Sequence, residues 1–154
     1  SWLGIERLVI TQGNAHQFDN GNLLACLDAM GDVARGVAVI DGATPDDQLE
    51  ALHARGVRGA RNMDLPGGAV GLDDLPATDA RTAAAGWMLA VQFDGSDIGD
   101  HFDLLAQLQS RWVFDHHGKF FRGAEPDGRD GRLELRERHT VPVRVQEQVA
   151  IIGP

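Results

Sequence analysis

Short apolar runs alternate with longer amphipathic segments from Leu8 to Phe121, and this rhythm limits the fold more than any other feature of the sequence. The first runs are brief, continuous and rich in β-branched residues, as in strands that are buried on both faces of a parallel sheet. The first two segments between them place leucines on one helical face, and the first three end at glycines. The pattern predicts five strands, at 8–10, 36–40, 57–63, 87–93 and 112–114, and four helices, at 23–30, 44–55, 73–85 and 97–109.

Strict alternation of strands and helices predicts an α/β fold of parallel (β/α) units, because each helix carries the chain back to start the next strand in the same direction. Periodicity does not distinguish an open, doubly wound sheet from part of a barrel. A complete (β/α)₈ barrel typically needs about 250 residues. The 154 residues here would therefore form only part of one.

Composition excludes several classes of partner. The net charge of −9 argues against nucleic acid, whose phosphates favour clustered lysine and arginine. No apolar run approaches the roughly 20 residues of a membrane span, so no membrane association is expected. Cys26 has no second cysteine to pair with, which fits a reducing cytoplasm, and no charged-then-apolar leader opens the sequence.

Polar residues follow the first predicted strand, where parallel α/β folds bind their ligands. Asp19 or Asn20 is expected to cap the next helix, as is Thr44 for the helix after it. Gln12, Asn14 and His16 are not needed for capping, and they are therefore candidates for a polar site.

Arg61 lies on the third predicted strand, three residues after Arg58. Successive side chains of a strand point to opposite faces, so at most one of the two faces a ligand. A buried arginine suits a carboxylate ligand, because its planar guanidinium donates two parallel hydrogen bonds. An internal ion pair with a neighbouring aspartate is an equally good explanation for it.

The strongest local signal is the run of Asp115, His116, His117, Gly118 and Lys119 directly after the fifth strand. A neutral imidazole accepts a proton or binds a metal, and an adjacent aspartate can fix its tautomer. The position of these residues at a strand end, rather than the presence of two histidines, indicates a site.

Five segments together resemble the amidohydrolase superfamily. These are the predicted metal-dependent hydrolases of the TIM-barrel fold, and the resemblance is greatest to the branch that acts on 2-pyrone-4,6-dicarboxylate. The segments occur in the order and at the spacing of that family, at 8–20, 35–41, 56–62, 86–87 and 114–120.

The resemblance implies part of a TIM-type barrel and the hydrolysis of a small carboxylated lactone or a similar cyclic ester or amide. It implies that His116 is catalytic and that Arg61 holds a substrate carboxylate. It also implies a divalent metal such as zinc in the complete fold, although the residues named here include no metal ligand. The remaining implied substrate-binding residues are Asn14, His16, Gln92, which stands where relatives often have tyrosine, and Lys119.

The family's first-strand His-x-His and its late, water-activating aspartate are both missing from this sequence. Two other functions therefore stay open. The chain could be a truncated, non-catalytic relative that binds a small anion or forms a homo-oligomer through exposed sheet edges. It could also be a small doubly wound domain that binds an anion.

Residues 122–154 differ in composition from the partial barrel predicted over residues 1–121. They hold six arginines and six acidic residues, whereas the negative charge of the chain lies before them. The strand and helix rhythm also stops there. We therefore predict a linker followed by a divergent tail, and we expect the tail after Gly123 to be frame-shifted or otherwise replaced. The alternative is a genuine C-terminal extension in which Val141, Val143 and Val145 cap an open sheet edge.

Overall fold

Five parallel strands form a single sheet in the computed structural model, which describes residues 4–118. The order β1-β2-β3-β4-β5 follows the chain, and every neighbouring pair is parallel. A doubly wound sheet would reverse its order near the middle, whereas an arc of a barrel does not. The predicted α/β fold with barrel-type units is therefore confirmed. The strands are β1 (Leu8–Thr11), β2 (Ala34–Ala38), β3 (Val57–Met63), β4 (Met88–Gln92) and β5 (Arg111–Phe114).

Four α-helices connect the strands, as the sequence predicts: α1 (Gly21–Met30), α2 (Asp46–Ala54), α3 (Leu75–Ala84) and α4 (Phe102–Ala106). The fourth is much shorter than predicted, because a 3₁₀ helix (Gly95–His101) precedes it. Two glycines lower the α-helical propensity of this segment, and the Asp94 side chain accepts a hydrogen bond from the backbone N–H of Ser96. Within residues 4–118, no helix is long and apolar enough to cross a membrane.

Both faces of the central strands are buried, as their continuous apolar runs predict. One face packs against the helices and forms a single core with them. Helix α1 contributes Leu23 and Leu27 to this core, and β4 contributes Leu89 and Val91. The opposite face carries buried residues that do not belong to this core, namely Val37, Val39, Met63 and Ala90. This second face also carries buried polar side chains, and the candidate site lies on it.

Strand β1 lies at one end of the described sheet, and its Val9 is 45% exposed. Self-association through such an edge stays a prediction. The predicted boundary at residue 121 and the predicted tail lie outside the described residues.

Two of the predicted helix caps have other roles. Asn20 precedes α1, but its side chain makes no capping hydrogen bond. Its amide instead donates to the Val39 carbonyl and accepts from the Val39 N–H, both at 2.9 Å. Thr44 likewise accepts from the N–H of Asp41 and donates to its carboxylate, and α2 begins two residues later. For Asn20 and Thr44 the capping prediction was wrong, because the backbone beyond a buried strand needs hydrogen-bond partners. The alternative cap, Asp19, is confirmed: its Oδ1 accepts the backbone N–H of Gly21, the first residue of α1, at 2.9 Å.

Replacing Asn20 with alanine should lower the free energy of unfolding by about 1–3 kcal/mol, since both polar groups of Val39 would lose their partner in a buried position. Urea unfolding measures this change. Asn22→Ala is the matched control, because Asn22 is exposed on α1 and its replacement should change stability by less than about 0.5 kcal/mol. Equal effects of the two substitutions would contradict this role for Asn20.

Candidate active site

The register of the sheet places three polar residues on one face. Arg61 pairs with Ala90, so Gln92, two residues further along β4, points to the same side. Ala90 in turn pairs with Val113, and Asp115 follows two residues later, directly after β5. The three side chains therefore converge at the carboxyl ends of β3, β4 and β5.

Arg61 is the centre of this cluster and is only 7% exposed. Its Nη1 donates to the Gln12 carbonyl at 3.1 Å, and its Nη2 donates to Oε1 of Gln92 at 2.8 Å. Nη2 also lies 2.6 Å from Oδ2 of Asp115, whose side chain is 12% exposed. The buried guanidinium thus has a charge partner, as burial of an ion requires, and the predicted internal ion pair is present.

Asp115 was not among the predicted site residues, although strand alternation points to it. It contacts Arg61 rather than fixing the tautomer of His116. Its Oδ1 accepts the backbone N–H of His116 at 2.9 Å and lies 3.8 Å from Nε2 of that ring. The side chain of Gln12, a candidate from the sequence, donates to the Asp19 carbonyl. Gln12 contributes its backbone carbonyl to the cluster instead, a group that any residue type could supply.

His116 lies against the guanidinium, with its Nε2 3.3 Å from Nη2 of Arg61. An arginine can only donate, so a hydrogen bond between these two nitrogens requires Nε2 to accept. That assignment corresponds to a neutral imidazole protonated on Nδ1. The backbone of His116 is left-handed, with φ of 52°, a conformation that residues other than glycine seldom adopt. The hydrogen bond from its N–H to Asp115 stabilises this turn, which directs the ring toward Arg61.

Arg58 points to the opposite face of β3, as the odd spacing predicts. Its Nη1 donates to the backbone carbonyls of Val57 and of His53, the latter in α2. Only Arg61 faces the cluster.

Asn14 and His16 lie in the loop after β1, at the same end of the sheet, but not in the cluster around Arg61. Asn14 donates to the Gly67 carbonyl at 2.8 Å, and Gln17 donates to the same oxygen at 2.9 Å. These bonds join the loop after β1 to the loop after β3. His16 is exposed in the first of these loops, and Lys119 lies outside the described residues. The binding roles of these three residues stay predictions.

Comparison with known proteins identifies the family. The sequence model of the amidohydrolase family matches residues 2–146, almost the whole chain. The chain belongs to the amidohydrolase family. The match extends past residue 121 into the segment that the composition separates from the barrel.

Two curated relatives act on lactones, according to their names. The chain is 59% identical over 127 residues to D-galactarolactone isomerase of Agrobacterium fabrum, covering 82% of this chain and 44% of the relative. It is 30% identical over 160 residues to 2-pyrone-4,6-dicarboxylate hydrolase of Comamonas testosteroni, covering 99% and 52%. This amidohydrolase chain thus spans about half the length of the curated relatives it matches.

A crystal structure of an Agrobacterium tumefaciens protein in its apo form superposes with a TM-score of 0.79 at 56% sequence identity. The superposition covers 89% of this chain and 51% of that one. The matched region is therefore about half of a longer chain in that structure.

A metal ion does not fit the cluster around Arg61. Among the residues that the structure describes, no group of three or more histidine, cysteine, aspartate or glutamate side chains could hold one. Asp115 and His116 could each supply one ligand, but the adjacent guanidinium would repel a divalent cation. The groups of this cluster that can act on a ligand are therefore its own side chains.

Removal of Arg61 should be strongly destabilising, because Asp115 would remain buried without its charge partner. Arg61→Ala should lower the free energy of unfolding by about 3–5 kcal/mol, and removal of Asp115 as well should recover part of that loss. A double-mutant cycle followed by urea unfolding should give a coupling of about 2–3 kcal/mol, in the upper range for contacting residues.

The ion pair between Arg55 and Asp28 is the internal control, because its side chains are 42% and 60% exposed. The same cycle on this pair should give a coupling below about 1 kcal/mol. If both pairs couple equally weakly, burial does not strengthen the Arg61 pair.

Proposed function

We propose that the protein containing this chain acts on a small lactone that carries a carboxylate, and that the carboxylate binds to Arg61. The observation that carries this proposal is a buried guanidinium 3.3 Å from the imidazole of His116, at the carboxyl ends of the strands. An anion-binding group and a proton acceptor thus lie side by side. The names of both curated relatives support the choice of ligand, since each refers to a lactone, and one to a dicarboxylate.

Arg61 retains capacity for a ligand although Asp115 balances its charge. Its Nε is buried and has no hydrogen-bond partner among residues 4–118. A guanidinium has five N–H donors, so it can bind a carboxylate while it stays paired with an aspartate. A ligand oxygen that accepts from Nε would remove the cost of a buried, unsatisfied donor.

His116 supplies the proton transfer that opening of a lactone requires. A hydroxyl oxygen attacks the lactone carbonyl carbon, a new C–O bond forms and the ring C–O bond breaks. When the substrate carboxylate binds Arg61, the hydrogen bond from Nη2 to Nε2 of His116 opens and frees the lone pair of Nε2. The proton of the attacking hydroxyl then moves to Nε2 and from there to the ring oxygen that leaves. These proton transfers require a neutral imidazole, which is the form that accepts a hydrogen bond from Arg61.

Two nucleophiles lead to two reactions. Attack by water hydrolyses the lactone, which is the reaction that the sequence resemblance implies. Attack by another hydroxyl of the substrate moves the ester linkage within the molecule, and this is an isomerisation. The 59% identity to an isomerase favours the second reaction as a specific alternative.

Arg61→Lys tests the carboxylate contact, because it keeps the charge but removes the planar set of donors. D-galactarolactone is the first substrate to assay, since a relative is named for it. The KM for this substrate should be about 10- to 100-fold higher in the variant than in the wild type, since loss of a charged hydrogen bond costs about 1.5–3 kcal/mol. Arg58→Lys on the opposite face should leave KM unchanged. An equal KM for the wild type and the Arg61 variant would remove Arg61 from the binding site.

Turnover in ¹⁸O-labelled water separates hydrolysis from isomerisation. Hydrolysis places one labelled oxygen in the product carboxylate, whereas transfer to a substrate hydroxyl places none, and mass spectrometry distinguishes the two. His116→Gln should lower kcat about 10²- to 10⁴-fold in either case, because both reactions need the proton acceptor. An unchanged kcat would show that another group moves the proton.

A further inference from the structure

We infer that the side-chain amide of Gln92 donates a hydrogen bond to the lactone carbonyl oxygen and stabilises the negative charge that develops there. This role rests on the proposed lactone chemistry at Arg61 and His116, and it makes Gln92 a catalytic residue.

The orientation of the Gln92 amide follows from its neighbour. The oxygen and nitrogen of a glutamine amide look alike in most structures and are assigned from their partners. Here the partner is Nη2 of Arg61 at 2.8 Å, and a guanidinium can only donate. The amide oxygen must therefore face Arg61, which directs the NH₂ group away from it.

The NH₂ group of Gln92 is buried without a partner. Gln92 is 1% exposed, and its Nε2 makes no hydrogen bond within residues 4–118. Buried polar groups in folded proteins are nearly always paired, and unpaired ones mark positions where another group binds. An amide NH₂ donates but does not accept, so the missing partner is an acceptor, such as a carbonyl oxygen.

The location of Gln92 suits the reacting carbonyl. Oε1 of Gln92 and Nε2 of His116 both lie within hydrogen-bond distance of the same nitrogen of Arg61, at 2.8 and 3.3 Å. The amide of Gln92 and the imidazole that moves the proton thus both contact the same guanidinium, so one small substrate bound there can reach both. Gln92 is fixed by Arg61 before the substrate binds, and such preorganised donors are effective in stabilising an oxyanion.

Two variants separate this role from a merely structural one. Gln92→Glu keeps an acceptor oxygen for Arg61 but removes the donor, whereas Gln92→Met removes both and adds no charge. If Gln92 donates to the carbonyl, both variants should lower kcat about 10²- to 10³-fold, as loss of an oxyanion donor does. If Gln92 only holds Arg61 in place, the glutamate variant should keep the wild-type kcat while the methionine variant loses it, and that result would overturn the inference.

Thermal unfolding of each variant shows that the protein is folded, and either folded variant that keeps the wild-type kcat overturns the inference. Gln48→Glu and Gln48→Met are the matched controls on the exposed side of α2, and they should keep kcat within about twofold. Turnover of D-galactarolactone by the wild type separates a failure of the proposed function from a failure of the role proposed for Gln92. No turnover would contradict the proposed function itself, whereas turnover that does not depend on Gln92 would contradict this inference alone.

Discussion

The buried positive charge of Arg61 imposes the conditions that the surrounding residues meet. A guanidinium that is 7% exposed needs a negative partner and several acceptors, and no single element of this chain supplies them. The loop after β1 provides the Gln12 carbonyl, β4 provides Gln92, and the turn after β5 provides Asp115. The cluster therefore depends on the order and register of the whole sheet, and the ion pair in turn fixes the turn that carries His116.

This dependence connects the fold with the chemistry. Parallel strands bring their carboxyl ends to one edge of the sheet, so residues that are far apart in the chain lie close together there. Because the acceptors around Arg61 leave its Nε and the Gln92 NH₂ without partners in the described region, the cluster resembles a binding site more than a closed structural ion pair. Membership of the amidohydrolase family and the two relatives named for lactones agree with a carboxylated lactone as the ligand.

The errors in the sequence analysis share one cause. Asn20 and Thr44 have the side chains and positions of helix caps, yet both bind the backbone at the ends of buried strands. Asp115 was expected to orient the neighbouring imidazole, yet its carboxylate pairs with an arginine 54 residues earlier in the chain. In each case a short polar side chain had two partners available, and the one used satisfies a group at or beyond a strand end. For Asn20 and Asp115 that partner is distant in the chain, whereas for Thr44 it is Asp41, three residues earlier.

The sequence by itself determined the α/β class, all five strands and the placement of Arg58 and Arg61 on opposite faces of β3. These follow from the periods of a helix and a strand, which are local properties. It also singled out Arg61, Gln92 and His116 through their resemblance to a family. Only the tertiary structure decided between an open sheet and a barrel arc, and only it joined Arg61 to Asp115, Gln92 and the Gln12 carbonyl. Those contacts link residues 31–54 positions apart. Local patterns carry no information about which distant groups will meet, since that depends on the register and curvature of the assembled sheet.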